Sequence, residues 1–161
     1  MAGDTPGGLT FVLDENLGGV LELLRGARVR PEGMITNLEE LGFPAGADDE
    51  DWMPELGKRG SFVAITRDGE ILNAAVRRNA FRSSGIRLLM LDKKWGLLPI
   101  RDLVRALFYW WPLMVSYAEA GVPGTAWTVS HKIQEPPEAG IRLVKGDLPA
   151  GDAHKAQPPR R

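Results

Sequence analysis

The chain has 161 residues, 43% of them hydrophobic and 25% charged, which is enough for one domain with a buried core and argues against disorder of the whole. It contains no cysteine and two histidines, so disulfides, thiolate nucleophiles and the usual structural zinc sites are excluded. The formal net charge of −1 conceals a division, because residues 31–57 carry eight acids and no base while residues 70–105 carry eight Lys or Arg against three acids.

The opening "MAGDTPGG" has neither the basic nor the apolar region of a secretion signal, and no apolar run approaches the length of a membrane span, so a cytoplasmic protein with no membrane partner is expected. "LTFVL" (9–13) reads as a short buried parallel strand, closed abruptly by Asp14, Glu15 and Asn16. Leu17, Val20, Leu21 and Leu24 then recur at helical spacing up to Gly26. "RVRPEGMIT" (28–36) predicts a second strand interrupted by Pro31. After the loop "FPAGADDED", a short helix is expected from Asp51 to Gly60, with Pro54 in its first turn. "SFVAI" (61–65) predicts a strand ending on "TRD" (66–68). "EILNAAVRRNAFRSSG" predicts a helix, and "IRLLML" (86–91) a further strand ending at Asp92. An apolar-rich helix runs from Leu98 to about Ala120, bent or broken near Pro112, and "TAWTVS" (125–130) reads as a last edge strand. The domain is taken as residues 9–134, and residues 135–161, rich in Pro and Gly, as a flexible tail.

Strands alternating with helices imply βαβ units and a mainly parallel sheet covered on both faces. In such sheets ligands bind beyond the C-terminal strand ends, where Asp14, Asp68 and Asp92 all stand. With the "DDED" cluster (48–51), the acids give several carboxylates for one crevice. Two carboxylates about 5 Å apart repel by roughly 3 kcal/mol at an effective dielectric near 20, so convergence calls for a cation. Carboxylates without thiolates select a hard ion, Mg²⁺ or Mn²⁺, and such an ion suits hydrolysis of a phosphate ester. Taken singly, each acid also reads as a turn former or helix cap. Recurrence at equivalent strand ends favours a site.

The order "FVLDEN" followed by "DDEDWMPELGKRGSFVAITRDGEI" resembles the PIN-like domains, in particular the compact VapC-type toxins, over roughly residues 9–92. In those proteins the first strand ends in an Asp, a later Asp heads a helix with an apolar residue three positions on, and a strand then leads into Thr-x-Asp. Here these places fall to Asp14, to Asp49 with Trp52 after it, and to Thr66, Arg67 and Asp68; Asp48 and Asp51 are near alternatives to Asp49. The resemblance implies a three-layer α/β/α sandwich and a Mg²⁺- or Mn²⁺-dependent ribonuclease. It would be the toxin of a toxin–antitoxin pair, with RNA as substrate and an antitoxin protein as partner; a homodimer is a separate expectation, carried by the aromatic run at 108–112. Asp14, Asp49 and Asp68 would be the catalytic metal ligands. Glu15, Asn16, Asp48, Asp51 and Thr66 would support them, and Arg67, Arg77, Arg78 and Arg82 would grip RNA. Larger PIN nucleases carry a further acid, for which Glu39 and Glu40 stand in no matching position. Two other readings follow from the same residues. One is a receiver-like module in which Asp68 accepts a phosphoryl group beside Lys93 or Lys94, and the other is a PIN-like binding protein without catalysis. "FYWWP" (108–112) is expected to serve core packing or a dimer interface rather than base stacking, and His131 and His154 appear too isolated to pair.

Overall fold

A computed structural model describes residues 8–132 and 137–144. Four apolar runs become parallel strands: β1 (Thr10–Leu13), β3 (Phe62–Thr66), β4 (Arg87–Leu91) and β5 (Ala126–Val129). A shorter β2 (Ile35–Asn37) pairs with β1, and β6 (Ile141–Leu143) closes the sheet antiparallel to β5, in the order β2-β1-β3-β4-β5-β6. Four helices connect them: α1 (Leu21–Gly26), α2 (Asp49–Arg59), α3 (Ala75–Ser84) and α4 (Ile100–Ala120). None of the described helices is long and apolar enough to cross a membrane.

The two-residue period of the strands divides the core. Phe11 and Leu13 of β1 face α1 and α4 with Trp95, Trp110 and Trp127, whereas Val12 faces α2 and α3 with Trp52, Leu56 and Phe81. The sheet is thus covered on both sides, an α/β/α sandwich as expected. Gly57 allows α2 and α3 to cross closely, since a Cβ there would stand 1.9 Å from the Ser84 carbonyl oxygen. Because β1 connects outward to β2 on one side while β3 lies on its other side, the chain order reverses between β1 and β3. That reversal opens a crevice beyond their C-terminal ends.

Several elements differ from expectation. Residues 28–34 form turns rather than strand, because Arg28 sits at φ 53 and Pro31 accepts the Met34 N–H at its carbonyl to close a turn; β2 begins only at Ile35. Helix α2 starts at Asp49, not Asp51, which puts Pro54 in the second turn. The first predicted helix is divided into a 3-10 segment, Glu15–Val20, and the short α1. Helix α4 runs through Pro112 without a break. The stretch taken as an edge strand is internal, and part of the predicted tail belongs to the sheet. Ile141 is buried against the α4 side, and Gly140 packs so closely on Trp110 that a Cβ would meet its ring at 2.2 Å. Residues 135–136 and 145–161, the rest of that tail, lie outside the described residues, and His154 with them.

Candidate active site

Asp14 follows β1 directly, at the edge of the crevice, with 8% of its surface exposed. Each oxygen of its carboxylate accepts one hydrogen bond and keeps a further lone pair. Oδ1 accepts the Glu15 N–H at 2.8 Å, and Oδ2 accepts the Thr66 hydroxyl proton at 2.8 Å. Thr66 ends β3 and is completely buried. Its oxygen also accepts the Asn16 side-chain amide at 3.3 Å and the Asp68 N–H at 3.0 Å. A hydroxyl has one proton and two lone pairs. Both lone pairs are occupied, so the single proton is directed at Asp14. Asn16 completes the bracket by accepting the Arg67 N–H at 3.2 Å. Asp68 Oδ1 accepts the Glu70 N–H at 2.9 Å, an Asx turn that shapes the loop after β3.

Asp49 comes from the first turn of α2, where a carboxylate is favoured by the helix dipole. One oxygen accepts the Trp52 indole N–H at 2.9 Å, which explains the apolar residue three positions on: the indole is buried and needs an acceptor. The other oxygen faces Arg77 at 3.8 Å.

The carboxylates sense one another. Burial pushes Asp14 above the usual carboxylate range despite the Thr66 and Glu15 hydrogen bonds, and the charges of Glu15 and Asp68 raise it further. Asp49 is also raised, first by burial and then by the charges of Asp14 and Asp68, against the pull of Trp52 and Arg77. Among the described residues, no group of three or more His, Asp or Glu side chains is drawn together tightly enough to hold a metal ion as it stands. The donors available, carboxylates with a hydroxyl and an amide behind them, fit a hard divalent ion.

The remaining expected site residues divide. Asp48 precedes α2 and Asp51 lies in its first turn, both exposed to solvent. Glu15 accepts the Gly46 N–H at 2.9 Å, anchoring the loop before α2. Glu40 pairs with Arg25 at 2.6 Å and accepts the Thr36 hydroxyl proton, so it serves β2 and α1. Arg78 donates to the carbonyls of Leu72 and Asn73 at 3.0 and 2.6 Å, and Arg77 donates to Glu70 besides facing Asp49. These two arginines hold the turns before α3. Arg67, beside the crevice, keeps a buried Nε without a hydrogen-bond partner, and Arg82 lies on α3, half-buried.

One pair escaped the sequence reading altogether. His131, just beyond β5, places Nδ1 2.9 Å from Asp92 Oδ2, and its backbone N–H donates to the same oxygen at 3.1 Å. The only signal was that both residues terminate strands, and nothing local shows that β4 and β5 are neighbours.

A family model described as a PIN like domain matches residues 9–93. Neither a curated protein nor a solved structure matches the chain.

Proposed function

The chain belongs to the PIN-like domain family, and on that footing we propose that it is a metal-dependent endoribonuclease, with Asp14, Asp49 and Asp68 holding Mg²⁺ or Mn²⁺ at the crevice between β1 and β3. The observation that carries this reading is the buried Thr66 hydroxyl, which donates to Asp14 and accepts the Asp68 N–H at the ends of β1 and β3, beside carboxyls of Asp14 and Asp49 that burial first, and the Asp68 charge after it, raise above the usual range. Carboxyls whose ionised form is disfavoured in this way, at strand ends opening on a crevice, suit a site that receives a cation.

Such an ion, when bound, would lower the pKa of a bound water and offset charge on the leaving oxygen. The chain's own groups do the positioning. Thr66 fixes the rotamer of Asp14, and its acceptance of the Asp68 N–H sets the loop that carries Asp68. Asn16 locks the hydroxyl's direction. Arg67, between Thr66 and Asp68 in sequence, is the basic residue assigned to meet a phosphate, and the open crevice suits unpaired RNA better than duplex. A cytoplasmic toxin paired with an antitoxin belongs to the same proposal. Exposed Leu97, Ile100, Phe108 and Tyr109 on and before α4 support a protein partner, either that antitoxin or a second copy, while Trp110 and Trp111 of the same run are core.

The strand order and its switch point also serve receiver-like modules. Against that reading, the Lys93 ammonium pairs with Glu70 instead of Asp68. The test is cleavage of structured RNAs by the purified chain with Mn²⁺, with EDTA, and with Asp14→Asn and Asp68→Asn. Cutting that needs Mn²⁺ and both carboxylates is expected; cutting that persists in EDTA or in the variants refutes the mechanism.

A further inference from the structure

The crevice holding Asp14 does not end at β3. The loop after Asp68 packs on the end of β4, with Gly69 against the Leu91 carbonyl and Lys93, so the same sheet edge continues to Asp92 and His131. There a cavity of about 230 Å³ is lined by Leu98, Asp102, Arg105, Ala106 and His131.

The imidazole at this cavity is oriented. Asp92 receives the Lys94 N–H at 3.0 Å on one oxygen, and both the His131 backbone N–H and Nδ1 on the other. A carboxylate so placed accepts the Nδ1 proton, and in the imidazolium form the ring carries a second donor, Nε2–H, at its other edge. Across from it, Arg105 is exposed and, among the described residues, makes no ion pair; Asp102 is drawn to its neighbour Arg101 at 3.9 Å. A buried Asp–His staple between β4 and β5 would need no cavity and no arginine. A protonated imidazole, with Nε2–H as donor, and a planar guanidinium lining one cavity match an anion with several acceptor oxygens.

We propose that this cavity is a subsite for a backbone phosphate of the RNA strand, bound by the Nε2–H of a protonated His131 and by Arg105, and that the strand runs along the sheet edge from Asp14 past Asp68 to reach it. This rests on the nuclease reading. Three inter-strand spacings separate β1 from β5, beyond whose end His131 stands, roughly 14 Å, a span of about four stacked nucleotides at 3.4 Å each. The subsite therefore sets which phosphate lies over the carboxylates.

The test measures binding of a fluorescent single-stranded RNA by anisotropy in EDTA, so that no cutting intervenes, using the full chain as wild type, His131→Asn and Arg105→Gln. Asparagine can keep the hydrogen bond to Asp92 but lacks Nε2, which separates the ligand role from the staple. Each variant is expected to bind about tenfold or more weakly, the loss of one charge-assisted hydrogen bond, and Arg105→Gln to reduce the slope of log affinity against log salt by about one. Binding within twofold of wild type in both variants overturns the proposal. So does a 5′-mononucleotide that shows the same affinity and the same losses as the oligonucleotide, which would make the cavity a site for a small phosphate ester. Cleavage with Mn²⁺ is scored separately. Absent cleavage with impaired variant binding removes the nuclease reading and leaves the subsite, whereas intact cleavage with unimpaired binding does the reverse.

Discussion

Replacing Thr66 by valine keeps the shape of a completely buried side chain and removes only its hydroxyl. Three partners lose their bond at once: Asp14 Oδ2, the Asn16 amide and the Asp68 N–H. A hydrogen bond to a charged group contributes about 1.5–3 kcal/mol, and a buried donor left unsatisfied costs about 1–3 kcal/mol, so a loss of about 3–5 kcal/mol is expected near neutral pH. Thr66→Ser keeps the hydroxyl and deletes one buried methyl, for about 1 kcal/mol. Because the hydroxyl lowers the Asp14 pKa, its removal raises that pKa further, and the cost of valine should shrink as the pH falls and Asp14 takes up a proton in both proteins. Urea unfolding followed by fluorescence reads this directly, since Trp52, Trp95, Trp110 and Trp127 are all buried. Equal losses for Val and Ser, or a smaller loss for Val, would refute the hub. RNA cleavage should follow the same order, retained with Ser and lost with Val.

Asp14→Asn tests the strain among the acids. The folded pKa of Asp14 is raised, so the folded state binds the proton more tightly and the ionised form costs stability at higher pH; in EDTA the stability of Asp14→Asn relative to wild type should therefore rise as the pH increases from about 4, and a flat difference across denaturation curves would contradict this. Gly57→Ala drives a Cβ into the Ser84 carbonyl, and is expected to lower stability by about 2 kcal/mol or more despite alanine's better helix propensity, whereas Gly19→Ala, with nothing within 4 Å, should be tolerated in the same melts. Glu40→Gln removes the partner of a half-exposed Arg25 and should cost less than about 1 kcal/mol with cleavage unchanged; a strong loss of cleavage would place Glu40 in the site.

The strands that carry the site were legible because parallel strands buried on both faces read as continuous apolar runs, and "LTFVL", "SFVAI" and "IRLLML" are such runs bounded by polar residues. Asp14 and Asp68 could be placed at their ends without knowing strand order. Strand β6 was hidden because three residues flanked by Gly and Pro carry no measurable period, and its place depends on Ile141 finding the α4 side of the core. Strand β2 began seven residues later than expected, since Pro31 and the left-handed Arg28 turn the chain first. Side-chain partners are set by tertiary neighbours. The basic run at 77–82 promised an RNA grip, yet Arg77 and Arg78 are tied to carbonyls of the preceding turns. His131 looked isolated and is bonded to Asp92 from the neighbouring strand.

The carboxylates of Asp14, Asp49 and Asp68 act as a metal site only if they share one cation, and Mn²⁺ titration read by the electron paramagnetic resonance of the free ion tests this most directly. One Mn²⁺ per chain is expected, with affinity at least tenfold weaker in each of Asp14→Asn, Asp49→Asn and Asp68→Asn, the scale of one charge-assisted contact. Wild-type affinity retained in all three variants, or no bound Mn²⁺ in the wild type, would contradict a shared site.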